Sequence, residues 1–259
     1  MKIFLSEYRH DYTTYTFGYT IYSVYENKDD LNPLYEGGFL PYTGNVNLMA
    51  DLYYKSRGVR IDLSRFKDTS ENRRVDRKSS VLDLKYEIIP ISQFTAWETF
   101  LTFANKYSNQ RIGESKMPPQ RLKYIISRKY LSHVIQFTSG ENTTGYILAI
   151  LSDKIFHYWF SFYDTKYLEQ NIPLGKWMMW KGIRIAKELG CSHAYLGNSY
   201  LETALYKSRD FNAVEFFDGN GWNSDLDELH HRCSSDKVLK ELDLFKLGDN
   251  QDKWIGELK

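Results

Sequence analysis

The chain has very little cysteine. Cys191 and Cys233 are the two in 259 residues. No disulfide framework is implied, and the count suits a reducing compartment. An excess of charge is lacking too: 34 basic residues against 33 acidic ones leave a net +1, so bulk charge says nothing about nucleic acid. No apolar run approaches the length that spans a bilayer. The N-terminal MKIFLSEYRHDY has no long apolar stretch of the kind a secretory signal needs. Neither an internal repeat nor a low-complexity segment is found. These absences lead to the expectation of a soluble cytoplasmic protein with no membrane partner.

What is present is aromatic: 16% of the residues, with 21 Tyr and 15 Phe. Tyrosine buries a ring while keeping a hydroxyl for a polar partner, so it suits pockets as well as cores. A hydrophobic share of 42% supports a sizeable core, in one large domain or two of ordinary size. Basic residues gather locally. Between Lys55 and Lys78 stand Arg57, Arg60, Arg65, Lys67, Arg73, Arg74 and Arg77; a second run holds Lys106, Arg111, Lys116, Arg121, Lys123, Arg128 and Lys129. Such runs are footprints for a phosphate backbone or solvated faces.

Residues 15–25 alternate β-branched and aromatic types and predict a strand, and 29–36 a short helix stopped at Gly37-Gly38. Val59, Ile61 and Leu63 alternate with Arg60, Asp62 and Ser64, the pattern of a half-buried strand. Asp68 or Ser70 is the expected cap of a following helix carrying Asn72, Arg73 and Arg74. An extended run over 81–91 precedes a helix over 92–107, capped at Ser92 or Thr95, and another opening at Pro118-Pro119. Strand-like runs follow at 131–138, 145–151 and 155–163. Then come a loop, a helix over 175–189, a strand at 193–197, a short helix over 201–208, a strand at 213–217 and an amphipathic tail helix over 234–245.

This order in the second half matches the GNAT acyltransferase fold, in which two central parallel strands splay apart and an acyl donor lies in the gap. The expected class is α/β (α+β), with a small mixed N-terminal domain over 1–80 before a GNAT-like catalytic domain over 81–259. Tyr206-Lys207-Ser208-Arg209-Asp210-Phe211, with Glu215 beyond and Tyr195-Leu196-Gly197 before, resembles the M-x-Y-K-x-x-F-x-P-x-E and Y-L-G segments of the arginyl-tRNA–protein transferases and bacterial leucyltransferases. Val59-Arg60-Ile61, Phe66 and Asn72-Arg73-Arg74 resemble the V-R-I and S-Q-R-R segments of that family. Gly38-Phe39-Leu40-Pro41-Tyr42-Thr43-Gly44 resembles G-F-R-R-S-G, and Ile172, Leu174, Gly175 and Trp177 resemble L-x-L-G-x-Y, with Trp for Tyr.

The resemblance implies an aminoacyl-tRNA–dependent transfer of an arginine- or leucine-class amino acid to the N-terminal amine of a protein or peptide, with an acidic N-terminus as one acceptor. It implies no cofactor besides the aminoacyl-tRNA co-substrate. The implied catalytic residues are Tyr206, whose hydroxyl would assist the leaving ribose oxygen, and Lys207. The implied substrate-binding residues are Arg60, Asn72, Arg73, Arg74, Tyr163, Leu174, Gly175 and Asn198. Arg73 and Arg74 suit a bidentate grip on carboxylate or phosphate, and Gly175 a helix start that receives a phosphate. The same residues also read as a structural Tyr–Lys pair, a solvated basic face and an ordinary helix start.

The chain departs from the family wording at Asn72 for Gln, Leu205 for Met and Ala213 for Pro, and above all in lacking the N-terminal cysteine set. His230, His231 and Cys233 have too few ligands at unsuitable spacing, so no metal is expected. No Ser–His–Asp or Cys–His spacing demands a covalent intermediate. Two other readings remain open, an acyl-CoA–dependent N-acyltransferase on the same fold and a non-catalytic tRNA-binding adaptor.

Overall fold

In the computed structural model, residues 1–13, 15–113 and 117–236 are described. Contacts divide the chain into two units, one holding residues 1–58, 198–205 and those from 216 on, the other 59–197 and 206–215. The protein is a mixed α/β fold.

The first unit begins with β1 (Lys2–Asp11), β2 (Thr16–Val24), α1 (Leu31–Glu36), β3 (Phe39–Pro41) and β4 (Leu52–Lys55). They form an antiparallel sheet in the order β1-β2-β4-β3. Its core is tyrosine: Tyr22, 1% exposed, stacks on Phe4 at 5.4 Å and meets Tyr42 edge-on at 5.3 Å. Gly38 has a reason to be glycine. Its φ is +77°, and a Cβ there would stand 2.4 Å from the Phe217 ring.

The second unit contains β5 (Gly58–Asp62), α2 (Ser70–Ser79), β6 (Leu84–Pro90), α3 (Trp97–Arg111), α4 (Pro119–Ile126), β7 (His133–Ser139), β8 (Asn142–Leu151), β9 (Ile155–Tyr163), α5 (Lys166–Glu169), α6 (Leu174–Glu188), β10 (His193–Asn198), α7 (Tyr206–Arg209) and β11 (Val214–Phe217). The chain returns to the first unit within β11 and continues through β12 (Trp222–Asn223) and α8 (Leu226–Ser235). The sheet of the second unit runs β11-β5-β10-β9-β8-β7-β6. Strands β6 to β9 are antiparallel neighbours, and β9 and β10 are parallel. Antiparallel strands leading to one parallel pair, with α6 as the crossover, are the layout expected from the acyltransferase resemblance.

On one face α3 and α4 bury Phe100, Ala104, Leu122 and Ile125 against Val134, Tyr146, Leu148 and Phe162 of the sheet. The helical spacing of Phe94, Trp97, Leu101 and Ala104 is therefore core spacing. On α6, Gly182 lets the helix approach the sheet, since a Cβ there would meet Tyr158 at 3.2 Å. The expected caps differ from those observed. Thr69, not Asp68 or Ser70, caps α2 in a reciprocal box with Asn72. Asp68 is engaged elsewhere, accepting from Trp180 Nε1 at 2.7 Å and from Arg184 at 2.8 Å. Helix α3 starts without a side-chain cap, because the chain first turns back on Pro90 through the amides of Gln93 and Phe94. Of the tail helix expected over 234–245, Ser234 and Ser235 instead end α8 and Asp236 is extended, and the rest lies outside the described residues. Among the described residues, no helix is long and apolar enough to cross a membrane.

Candidate functional site

Strands β9 and β10 pair only through Ile155–His193, Phe156–Ala194 and His157–Tyr195. Strand β9 then continues to Tyr163 and β10 to Asn198, so the central sheet parts beyond that rung. Along its other edge β9 carries a bulge. Leu148 faces Phe160 while Ala149 faces Tyr158, which leaves Trp159 as the extra residue. The bulge reverses the alternation, and Tyr158 therefore shares a face with Ser161 and Tyr163. All three line a cavity of about 420 Å³.

The remaining walls come from five helices, α5 giving Leu168. Helix α6 gives Gly175, Lys176, Met179 and Trp180, and α3 gives Tyr107 and Arg111. Glu71, Asn72 and Val75 come from α2, and Tyr206 from α7, with Asp210 and Phe211 just after it. A Cβ on Gly175 would stand 2.6 Å from the Tyr163 ring, so glycine lets that ring lie on the first turn of α6. The ring is held from behind by Tyr107, centroid to centroid 4.8 Å.

A chain of alternating charge runs beside the cavity. Arg74 grips Glu71 with two bonds, 2.6 and 2.7 Å. Lys176 Nζ bridges Glu71 at 3.4 Å and Asp210 at 2.8 Å, and Arg209 Nε reaches Asp210 at 2.8 Å. The Arg74 guanidinium, against some burial and with help from Lys176, holds the Glu71 carboxyl down at about 2. The Tyr206 phenol is pushed up by burial and then by the nearby Asp210 charge. Burial also raises Tyr107, with Tyr163 adding to it. Burial raises Tyr158 too, and Ser161 partly offsets the rise. These hydroxyls stay protonated and act as hydrogen-bond donors.

Of the residues singled out in the sequence, Asn72, Tyr163, Gly175 and Tyr206 line this one cavity. They come from four separate segments. Arg74 touches it only through Glu71. Arg73 donates to the Asp68 carbonyl at 2.8 Å on the outside of α2. Arg60 is 7% exposed and occupied by Glu215 at 2.8 Å, with the Tyr195 hydroxyl at 3.3 Å. A charge that deep in a strand needs a partner, and this one has it. Leu174 is fully buried in the core.

Lys207 does not line the cavity. It lies over the Tyr206 ring at 5.8 Å, toward Gly197. Its charge and, more strongly, burial push the His157 imidazole down to about 3, so that ring is neutral. Asn198 belongs to the first unit and donates to the Tyr54 hydroxyl at 2.8 Å. Trp177 faces away from the helix start. Its indole donates to Asp76 at 3.0 Å and its ring meets Phe137 at 5.6 Å.

Tyr107, Tyr158 and Ser161 stand in no segment that resembles the family, and Lys176 and Asp210 stand at positions its wording leaves open. Cys191 is buried at the turn between α6 and β10, its thiol pushed up to about 11 by burial. Cys233 is buried with Sγ 3.5 Å from the Ser199 carbonyl oxygen. Among the described residues, no group of three or more His, Cys, Asp or Glu is placed to hold a metal.

No family model matches the chain, and no curated protein does. The likeness to the arginyl-tRNA–protein transferases therefore rests on the sequence segments alone. Among solved structures, the chain is similar to the C-terminal domain of a protein described as a lysylphosphatidylglycerol synthetase from Agrobacterium fabrum. Identity is 12%, over 82% of this chain and 64% of that one, with a TM-score of 0.42. It is similar also to L-PGS from Bacillus licheniformis, at 12% identity over 69% of this chain and 54% of that one, TM-score 0.42. A third is the glucosamine N-acetyltransferase region of a fungal multi-domain GH3 β-N-acetylglucosaminidase, at 9% identity over 75% and 23%, TM-score 0.39. The chain thus spans less than two thirds of each of these proteins. At TM-scores this low the likenesses carry no argument about donor, acceptor or residue roles.

Proposed function

We propose that the protein is a transferase that passes an activated acyl unit to an amine in the cavity between β9, α6 and α7, and that the donor is an aminoacyl-tRNA. One observation carries this reading. Asn72, Gly175 and Tyr206, from three separate segments that each resemble an aminoacyl-tRNA–dependent transferase, meet around one cavity, with Tyr163 beside them. Its volume of about 420 Å³ lies in the range of small-ligand sites and suits an amino acid esterified to a ribose.

The chemistry asks little of the protein. The amine nitrogen attacks the ester carbonyl, the new C–N bond forms and the C–O bond to the ribose breaks. Tyr206 gives its hydroxyl proton to the departing ribose oxygen and recovers one from the acceptor nitrogen. Glu71, held as a carboxylate by Arg74, is too weak a base to deprotonate an amine. The acceptor must therefore arrive neutral, as a fair share of α-amines do near their ordinary pKa of about 8. Positioning of the two reactants supplies the rest. The acceptor in this reading is the N-terminal amine of a protein or peptide, and the work is done in the cytoplasm, where charged tRNA is found.

The test is transfer of label from a pool of aminoacyl-tRNAs to peptides with acidic and neutral N-termini. Label on the peptide, lost in Tyr206→Phe, supports the reading; no label from any aminoacyl-tRNA rejects it. A second donor is favoured by one observation. Trp177 is turned into the core, so its ring does not crowd the helix start, and an acyl-CoA pyrophosphate would have only the Tyr163 ring to displace there. Transfer from acetyl-CoA and none from tRNA would decide for that donor.

A further inference from the structure

We infer that the inner wall of the cavity, where the hydroxyls of Tyr107, Tyr158, Ser161 and Tyr206 gather, is a binding site for an uncharged polar group, a carboxamide or a hydroxyl, carried by the acyl unit. The assignment to the acyl unit rests on the transferase reading above; the binding site itself does not.

Four features support it. The β9 bulge turns Tyr158 to the same side as Ser161, which simple alternation would forbid. The Tyr158 side chain is 5% exposed, and its hydroxyl is buried without a hydrogen bond of ordinary geometry. A buried hydroxyl left unpaired is unfavourable, and a ligand group that both donates and accepts would satisfy it. Carboxamides and hydroxyls are such groups.

The charges of the site are the third feature. Glu71 and Asp210 are already held by Arg74, Lys176 and Arg209. Glu71 and Lys176 belong to the open side, 30% and 41% exposed, whereas Asp210 is buried, 6% exposed, with its two carboxylate oxygens taken by Lys176 and Arg209. The buried Asp210 carboxylate, whose charge reaches Tyr206, is already engaged by two cations and is not free to receive a guanidinium or ammonium. Arg111, exposed at the mouth, is a further cation that such a side chain would pass. The fourth is that burial keeps the phenols of Tyr107, Tyr158 and Tyr206 neutral, so they add no anion to the wall. Of the two amino-acid classes the sequence likeness implies, the cationic one is therefore disfavoured. A side chain with a polar tip is preferred over a plain aliphatic one.

The test is ligand-observed NMR titration of the intact protein with L-glutamine amide, L-leucine amide and L-arginine amide, which share the same α-amino group and differ only in side chain. Glutamine amide is expected to bind most tightly. Tyr158→Phe, which removes one hydroxyl and keeps the ring, should weaken glutamine amide about fivefold, the weight of one hydrogen bond, and leave leucine amide unchanged. Ser161→Ala should act in the same direction. Tightest binding by arginine amide, a preference unmoved by both substitutions, or no binding by any of the three would overturn the inference. Transfer activity is not read in this experiment, so a failed transferase reading and a failed binding site give different results.

Discussion

Replacing Gly175 by alanine sets two effects against each other. Alanine is the better helix former, by up to about 1 kcal/mol in a helix interior and less in the first turn. Against this, the new methyl would stand 2.6 Å from Tyr163 Cε1 and 2.9 Å from Cζ. Carbon atoms in ordinary contact keep about 3.5–4.0 Å, so the ring has to retreat by roughly 1 Å. It cannot do so freely, because Tyr107 packs on it at 4.8 Å. Overpacking of this kind costs about 1–3 kcal/mol. The net loss expected for Gly175→Ala is about 1–2 kcal/mol, or a few degrees in Tm for a chain of this size. Urea unfolding followed by circular dichroism measures it. The cause is separable: in a Tyr163→Leu background the methyl has nothing to strike. The double mutant should then lose less than the two single changes together, by about 1 kcal/mol. An alanine variant as stable as the parent, or the same loss with and without the tyrosine ring, would refute the reasoning.

Arg60→Ala leaves Glu215 with only Arg65 at 2.5 Å, the latter half exposed. Unfolding by denaturant should show a loss of about 1.5–3 kcal/mol, the weight of a charge-assisted bond and less than that of an orphaned buried charge because Arg65 stays, with amide binding in the cavity unchanged. The Glu71 carboxyl falls from 4.5 to about 2 on folding. Its contribution to stability is therefore present above about pH 4.5 and is lost as the pH falls toward 2. Glu71→Gln should flatten the stability curve in that window, and equal slopes in the two proteins would contradict the pairing. Transfer should accelerate with pH through about 8 as the acceptor amine deprotonates. No falling limb is expected below about 10, since Tyr206 ionises above its ordinary range; single-turnover rates would show either. Tyr206→Phe should slow that step by about 10²–10⁴-fold at unchanged stability, measured in the same assay.

The parts of the fold that were legible in the sequence are those with a regular period. Strand β9, the helical spacing of α3 and the long α6 all follow from it. The three-residue β3 and four-residue β4 are too short to show a period, and β1 interrupts its apolar residues with Glu7 and His10. Helix α8 was hidden because its histidines drew attention as ligands, although its start is an ordinary aspartate cap, Asp225 accepting from two amides. The site was half legible. Asn72, Gly175 and Tyr206 stand in segments with a recognisable wording. Tyr158 and Ser161 were beyond reach, because one bulged residue, Trp159, changes which way they face, and a bulge depends on the partner strand. Tyr107 and Asp210 enter the cavity only through the packing of α3 and α7, which no local pattern encodes. Arg60 and Leu174 show the reverse error. Their segments resemble the family, but a buried ion pair and a packed core explain both residues.

The claim on which the account turns is that the tyrosine-lined cavity receives the activated amino acid. A crystal structure of the protein with a non-hydrolysable aminoacyl-adenosine, its ester replaced by an amide, tests this directly. The account predicts the aminoacyl group among Tyr158, Ser161 and Tyr206, with the Tyr206 hydroxyl within hydrogen-bond reach of the atom standing in for the ribose oxygen. An empty cavity with the analogue bound at another place on the chain would contradict it.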